Sequence, residues 1–369
     1  MLQILEGYEQ RQQQLPIDLF ISNYFRVNRS CGSKDRKAIV DDIYGMVRWR
    51  GLLDALADKP SSWEKRYRTY TTSDIEQHLH DESLPLYIRY SFPQKLFDRL
   101  VAAYGEEKAC ELCYISNFPA PTAIRVNTMK ISRDALMKKW EGIYDVTSGS
   151  GGPNSIIFNK KINFFGTEEF KQGLFEIQDE GSQNVAALVK AKPGQHFIDY
   201  CAGAGGKALA IAPSMDNKGQ IYLHDIRNYP LQQAKKRLKR AGIQNAQIIE
   251  AGSAKLRKLK RSADWVFVDT PCSGSGTWRR NPTMKWDYKE GMIETLVGQQ
   301  RTIFEKALSF MKPEGHIVYA TCSIFPEENQ QQIEHFTSLY DLEVVGKPFQ
   351  SLPTPNGMDG FFGAILKKR

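Results

Sequence analysis

The sequence predicts an α/β chain: amino-terminal helices, a small α+β segment, then a mostly parallel sheet. Three observations predict it. From about residue 166 onward, short apolar runs alternate with helical stretches. Strands and helices alternating at this spacing build a parallel sheet covered on both faces. A glycine-rich loop follows the first of those runs. The preceding part changes character twice, near residues 80 and 165. At 369 residues the chain is long enough for two or three domains of roughly 100–200 residues each.

Residues 1–80 read as helical. In the stretch 37–56, Ile39, Ile43, Met46, Val47 and Leu53 recur at helical spacing, with Arg36, Lys37, Arg48 and Arg50 around them. Either a solvated face or a basic face against RNA accounts for those charges. Residues 81–165 read as a small α+β domain with an RNA-binding role. They hold a helix over 93–117 opened by Pro93, a strand over 122–126, a helix over 133–140 capped by Ser132, a Gly/Ser loop at 148–152 and an extended SIIF at 155–158. Residues 166–369 form the third region. Its strands are expected at 196–199, 220–224, 247–249, 265–268 and 316–320, with helices at 230–241 and 294–311. The run KKRLKR at 235–240 reads as the solvent face of a helix.

Composition narrows the class. Hydrophobic residues make up 41%, enough for a sizeable core. No run approaches the ~20 apolar residues of a membrane span. The start, MLQILEGYEQRQQQ, does not read as a secretory leader. A cytoplasmic monomer with no membrane partner is expected. The six cysteines are scattered, so a disulfide framework is not expected. Cys110 and Cys113 sit mid-helix without a second ligand pair, so no metal site is expected. Fifty Lys and Arg against 42 Asp and Glu give a net charge of +8, which suits a polyanionic partner.

The chemistry gathers at strand ends. HFIDY runs into CAGAGGKA, where Gly203, Gly205 and Gly206 permit a tight turn at a helix start. The next strand ends at Asp225, placed to bond ribose hydroxyls. An NTP-cradling loop is disfavoured by Cys201 and by Ala208 after Lys207. A nicotinamide fingerprint survives loosely as Gly203-x-Gly205-x-x-Ala208. The strand at 265–268 leads into Asp269, Pro271 and Cys272, and the strand at 316–320 leads into Cys322. In open α/β sheets ligands bind beyond the carboxyl ends of the strands, so both cysteines, Asp225, Asp269 and the loop are expected along one edge. A single such cysteine is more often inert filler; two beside a cofactor loop favour chemistry.

On these residues the chain resembles the RsmB-type (Fmu/Sun) RNA cytosine-5 methyltransferases. The resemblance covers at least residues 91–369. It rests on RVNTMK at 125–130, EIQDEGSQ at 176–183, DYCAGAGGK at 199–207, DTPCSGSGTWRRNPTMKW at 269–286, YATCSIFPEEN at 319–329 and DGFFGAILKK at 359–368. The amino-terminal helices look like a short relative of the NusB-like domain of some members. The resemblance implies a Rossmann-like class I methyltransferase sheet of seven strands with an antiparallel strand near 361–366. It implies S-adenosylmethionine as cofactor, held by Cys201, Ala202, Gly203, Ala204, Gly205, Gly206 and Lys207. Asp225 with Arg227 would serve the ribose and Asp269 the methionine end. Cys322 would be the nucleophile, and Cys272 would assist product release. The family's Ala-Pro-Gly-Gly-Lys loop reads Ala202-Gly203-Ala204-Gly205-Gly206-Lys207 here. Ser253 stands where many members place an Asp near the adenine.

These groups suit the reaction. Carbon 5 of cytosine is a poor nucleophile until a thiolate adds at carbon 6, and a carboxyl such as Asp269 against N3 aids that addition. A free thiol, with a pKa of about 8.5, needs activation. Lys207 and the helix N-terminus after Cys322 are two candidate sources. The base must be unpaired or flipped out. Arg125, Asn127, Arg279, Arg280, Lys285 and Trp286 are the expected RNA contacts, cations beside an aromatic suiting phosphate and base. Ribosomal RNA is the expected substrate, with transfer RNA the alternative. A nicotinamide oxidoreductase would leave both cysteines idle, and a non-catalytic RNA-binding assembly factor would need neither.

Overall fold

Strand-forming runs between helices assemble two sheets in the computed structural model, which describes residues 1–10 and 15–369. Residues 11–14, part of the stretch read as helical, lie outside the described residues. The chain divides into two compact units. One comprises Met1–Pro119 with Thr277–Glu290, the other Ala120–Gly276 with Gly291–Arg369.

The first unit is helical. The expected helix over 37–56 is two, Ser33–Arg48 and Arg50–Leu56, broken at Trp49. The expected helix over 93–117 is also two, Gln94–Tyr104 and Glu106–Ser116. Gly105 divides them at φ +79°, a left-handed conformation that ends a helix and that glycine adopts without steric cost. Ile4, Ile43, Met46, Leu52 and Leu53 form the buried centre of this unit. Among the described residues, no helix is long and apolar enough to cross a membrane.

The second unit holds two sheets. The smaller has β1 (Thr122–Val126), β2 (Val146–Ser148), β3 (Ser155–Phe158) and β4 (Phe175–Ile177), in the order β2-β3-β1-β4 and antiparallel throughout. Helix Arg133–Lys139 packs beside it. Ser132 caps that helix, as expected, by accepting the Ala135 N–H. Trp140 follows and is buried among Tyr144, Phe158 and Phe175.

The larger sheet has β5 (His196–Asp199), β6 (Gln220–Asp225), β7 (Ala246–Glu250), β8 (Ala263–Asp269), β9 (Met311–Thr321), β10 (Leu342–Ser351) and β11 (Phe361–Lys368). Its order is β10-β11-β9-β8-β5-β6-β7. The pairs from β7 to β9 are parallel, while β11 runs antiparallel to both its neighbours. This is the expected Rossmann-like seven-stranded sheet with its antiparallel carboxy-terminal strand. Separate apolar cores fill its two faces, one around Phe197, Leu223 and Phe267, the other around Ile198, Val266 and Val268. The alternation of these residues along β5 and β8 is the period-two rule of a strand buried on both sides. β10 lies outside the strands expected from sequence. It is an edge strand with mostly half-exposed or exposed residues, so it lacks the apolar run that marked the others.

Candidate active site

The parallel register of β5, β6, β8 and β9 brings their carboxyl ends to one edge. The cofactor loop begins there. Gly205 is left-handed at φ +76° and caps helix Gly206–Ile211. A Cβ at this position would press on Ala234 and Leu223 at 3.1 and 3.2 Å, so glycine serves both the turn and the packing. Gly203 is also left-handed, at φ +51°, but a Cβ there would stand in open space, so the turn alone calls for glycine.

Asp225 closes the loop from β6. Its carboxylate accepts the Gly203 N–H at 2.9 Å and the Arg227 N–H at 2.9 Å, with the Arg227 side chain at 3.1 Å. Burial pushes this carboxyl up, but the bonds to Arg227 and Gly203 outweigh it and hold it below its ordinary value. Ile226 beside it is 84% exposed, an apolar face next to the Asp225 carboxylate. Ser253 caps the helix Ala254–Lys258, accepting the Leu256 N–H at 3.3 Å.

Asp199 was missed from the sequence, although it stands at the end of β5 directly before the loop. It is 1% exposed, and neither carboxylate oxygen has a hydrogen-bond partner. Burial, reinforced by the nearby Asp269 charge, raises its pKa to about 8 against the pull of Lys207. An orphaned carboxylate beside a glycine loop fits a cationic ligand, and S-adenosylmethionine carries both a sulfonium and an ammonium group.

Lys207 reaches from the loop helix to Asp269 at 2.5 Å. The lysine pKa is raised despite burial because Asp269, and more weakly Cys322, favours the cation. Lys207 is therefore a cation within electrostatic reach of the Cys322 thiol. The other expected activator, the helix after Cys322, is displaced. A short turn, Pro326–Glu328, intervenes, and the α-helix begins only at Gln330.

Cys272 Sγ and Cys322 Sγ lie 3.4 Å apart. The hydrogen bond to Cys322, then burial, push the Cys272 thiol well up. The loops that carry them are tied by Glu328, fully buried. Its carboxylate accepts the Ser273 N–H at 2.9 Å, the Ser273 and Ser323 hydroxyls at 2.5 Å each, and the Gln300 amide at 2.9 Å. Gly276 N–H adds a bond to the Cys322 carbonyl at 2.9 Å. The sequence signal for Glu328 was only an acid in a helix's first turn. Its role depends on joining Ser273, 55 residues away, to Ser323, five residues away.

Four of the expected RNA contacts need correction. Arg125 is buried, bonding Gln178 and the Gly206 carbonyl at 3.1 Å, so it braces the cofactor loop. Asn127 is buried and donates to the Gly173 and Ala241 carbonyls at 2.9 Å. Lys285 is 0% exposed, its ammonium meeting Arg48 O, Ser91 O and Asn117 Oδ1 at 2.6–2.8 Å. Burial drives its pKa well down. Trp286 is half-buried and donates to Val47 O at 2.7 Å, and Arg279 is buried. Arg125, Asn127 and Lys285 are spent on internal contacts and Arg279 is buried, so these four are not presented to phosphate, whereas the Trp286 ring stays half-exposed. Arg280 is half-exposed.

Comparison with known proteins fits this geometry. A family model described as 16S rRNA methyltransferase RsmB/F matches residues 186–367, and the ferredoxin-like domain model of the same group matches residues 92–164. Ribosomal RNA small subunit methyltransferase B of Photorhabdus laumondii is 30% identical over 353 residues, covering 90% of this chain and 77% of that protein. The chain belongs to the RsmB/F methyltransferase family. A Bacillus subtilis relative, a probable ribosomal RNA small subunit methyltransferase B, is 32% identical over 300 residues, covering 76% of this chain and 67% of its own. The crystal structure of PH0851 superposes with a TM-score of 0.82 over 100% of this chain and 98% of its own, at 23% identity, and so shares the fold. As an RsmB/F member the chain is an S-adenosylmethionine-dependent RNA cytosine-5 methyltransferase, and the loop with Asp225 and Asp199 suits that cofactor.

Proposed function

We propose that this enzyme methylates a cytosine of small-subunit ribosomal RNA through a covalent adduct on Cys322, resolved with help from Cys272. The observation that carries this reading is the sulfur pair, 3.4 Å apart beside the Lys207–Asp269 ion pair. The ribosomal substrate is supported by the relatives, described as ribosomal RNA small subunit methyltransferases.

The residues divide the work. S-adenosylmethionine, when bound, supplies the electrophilic methyl group that carbon 5 accepts. The glycine loop, Asp199 and Asp225 would hold its amino-acid and ribose parts, with Ile226 and Ser253 at the adenine. Cys322 would add to carbon 6 through its sulfur, with the Lys207 cation nearby. Asp269, ion-paired with Lys207, would lie against N3, and the Lys207 ammonium beside it would offset the negative charge that addition places on the ring. Cys272 would stay protonated while Cys322 attacks; in the elimination its proton passes to the departing Cys322 sulfur and the carbon-5 proton passes to the Cys272 sulfur, so both residues end as thiols.

RNA containing 5-fluorocytidine tests the nucleophile, because fluorine cannot leave as a proton does. A stable adduct should map to Cys322; an adduct on Cys272 would reverse the two roles. Bisulfite-type mapping of cellular RNA with and without the protein tests the substrate. A lost 5-methylcytosine in small-subunit rRNA is expected, and loss confined to transfer RNA would refute that assignment.

A further inference from the structure

The larger sheet ends on β7, and a groove of about 820 Å³ runs along that open edge. It is lined by β7, by helix Asn228–Ala241 and by Ser253 and Lys255 beyond the strand. Lys235, Lys239 and Lys255 project into it, and Glu250 is its one acid. Lys236 flanks it on the helix. Arg257 and Lys258 follow on the next helix, then Lys260 and Arg261. All eight cations are exposed, and none has an acidic partner among the described residues. On the same helix Arg237 and Arg240 are consumed by Glu176, so the pairing of this face is selective.

Two physical accounts compete for such a surface. Lysines beside an edge strand discourage edge-to-edge association, which needs only a charge or two. A continuous cationic groove is what single-stranded nucleic acid requires, tracking the backbone through phosphate contacts. The groove reaches Ser253 at the carboxyl end of β7, the sheet edge where Asp225 and the cofactor loop lie. Four of the six RNA contacts expected from sequence are buried, so other exposed cations must carry most of the phosphate contacts.

We propose that the β7 edge groove is a docking track for the substrate RNA strand, with Lys235, Lys239 and Lys255 on successive phosphates and the flanking cations drawing the strand in. This rests on the RNA methyltransferase reading. The occupant is RNA rather than an added peptide strand because the lining is cationic, whereas β-strand addition relies on backbone bonds and side-chain pockets.

The test compares two triple variants on in vitro transcribed, unmethylated small-subunit rRNA. One is Lys235→Gln/Lys239→Gln/Lys255→Gln in the groove. The other is Lys347→Gln/Lys368→Gln/Arg369→Gln near the opposite edge of the sheet. The groove variant should bind RNA roughly tenfold or more weakly, with a log-affinity against log-salt slope shallower by about 2–3, as expected for three lost phosphate contacts. Its affinity for S-adenosylmethionine and its rate at saturating RNA should be unchanged. The distal variant should match wild type in all four. A groove variant with wild-type affinity and slope, or equal weakening in both variants, overturns the groove. Wild-type protein that neither binds nor methylates the RNA would instead overturn the substrate reading on which the groove depends.

Discussion

Cys272 Sγ and Cys322 Sγ face one another at 3.4 Å, each on a loop that leaves the carboxyl end of its strand. The pairing of Asp269 with Ala320 sets this approach, because it brings the ends of β8 and β9 level. Glu328 then fixes it by accepting bonds from Ser273 on one loop and Ser323 on the other. The contact with Cys322 and burial push the Cys272 thiol well above its ordinary value, so this thiol resists losing its proton.

Removing the ribose carboxylate should cost cofactor binding. Asp225→Ala should weaken S-adenosylmethionine by roughly 1–3 kcal/mol, the cost of unpaired polar partners. Calorimetry on the folded variant checks it, and unchanged affinity would reject the ribose role.

Glu328 should matter to both stability and chemistry. Glu328→Ala strands two buried hydroxyls, an amide and an N–H, and should lower stability by roughly 2–4 kcal/mol in thermal unfolding. Glu328→Gln keeps the shape and should fold more stably than the alanine variant. Its rate of adduct formation with 5-fluorocytidine RNA should still fall by roughly tenfold or more, because the cysteine loops lose their register. Wild-type adduct formation by Glu328→Gln would deny it the positioning role.

Asp199 gives the apoprotein a pH dependence. Its folded pKa of about 8 lies above the unfolded carboxyl value, so the folded state prefers the neutral form. The stability this group contributes is full below about pH 4 and is lost as pH rises to about 8. Asp199→Asn should remove that decline, so the variant gains on wild type across this window in denaturant titrations. A cationic ligand beside Asp199 should also favour its ionised form. Binding of S-adenosylmethionine near pH 7 should therefore release protons, seen as a buffer-dependent enthalpy that Asp199→Asn abolishes.

Lys285 separates internal from RNA-facing lysines. Lys285→Met leaves three carbonyl acceptors unserved and should lower stability by roughly 2–4 kcal/mol. The salt slope of RNA binding should stay at the wild-type value. A slope reduced by about 1 would restore Lys285 to the phosphate contacts.

The parallel strands, the glycine loop, Asp225, Asp269 and both cysteines were legible because each sits where an apolar run ends, and strand ends share an edge. β10 was not legible, since an edge strand needs no continuous apolar run. Arg125, Asn127 and Lys285 were misread because a cation or amide in sequence looks the same whether it meets phosphate or a buried carbonyl. Glu328 was hidden for the converse reason. Its partners Ser273 and Gln300 lie far along the chain, and only the fold brings them to one carboxylate.

The central claim is the division of labour between the two thiols, and trapping with ordinary cytidine RNA tests it most directly. Cys322→Ala should bind RNA, form no covalent linkage and transfer no methyl group. Cys272→Ala should attack and methylate, then stall as a protein–RNA conjugate on a denaturing gel, carrying the labelled methyl group. The double variant should lose the conjugate, assigning the bond to Cys322. Full turnover by Cys272→Ala, or a conjugate that persists without Cys322, would contradict the account.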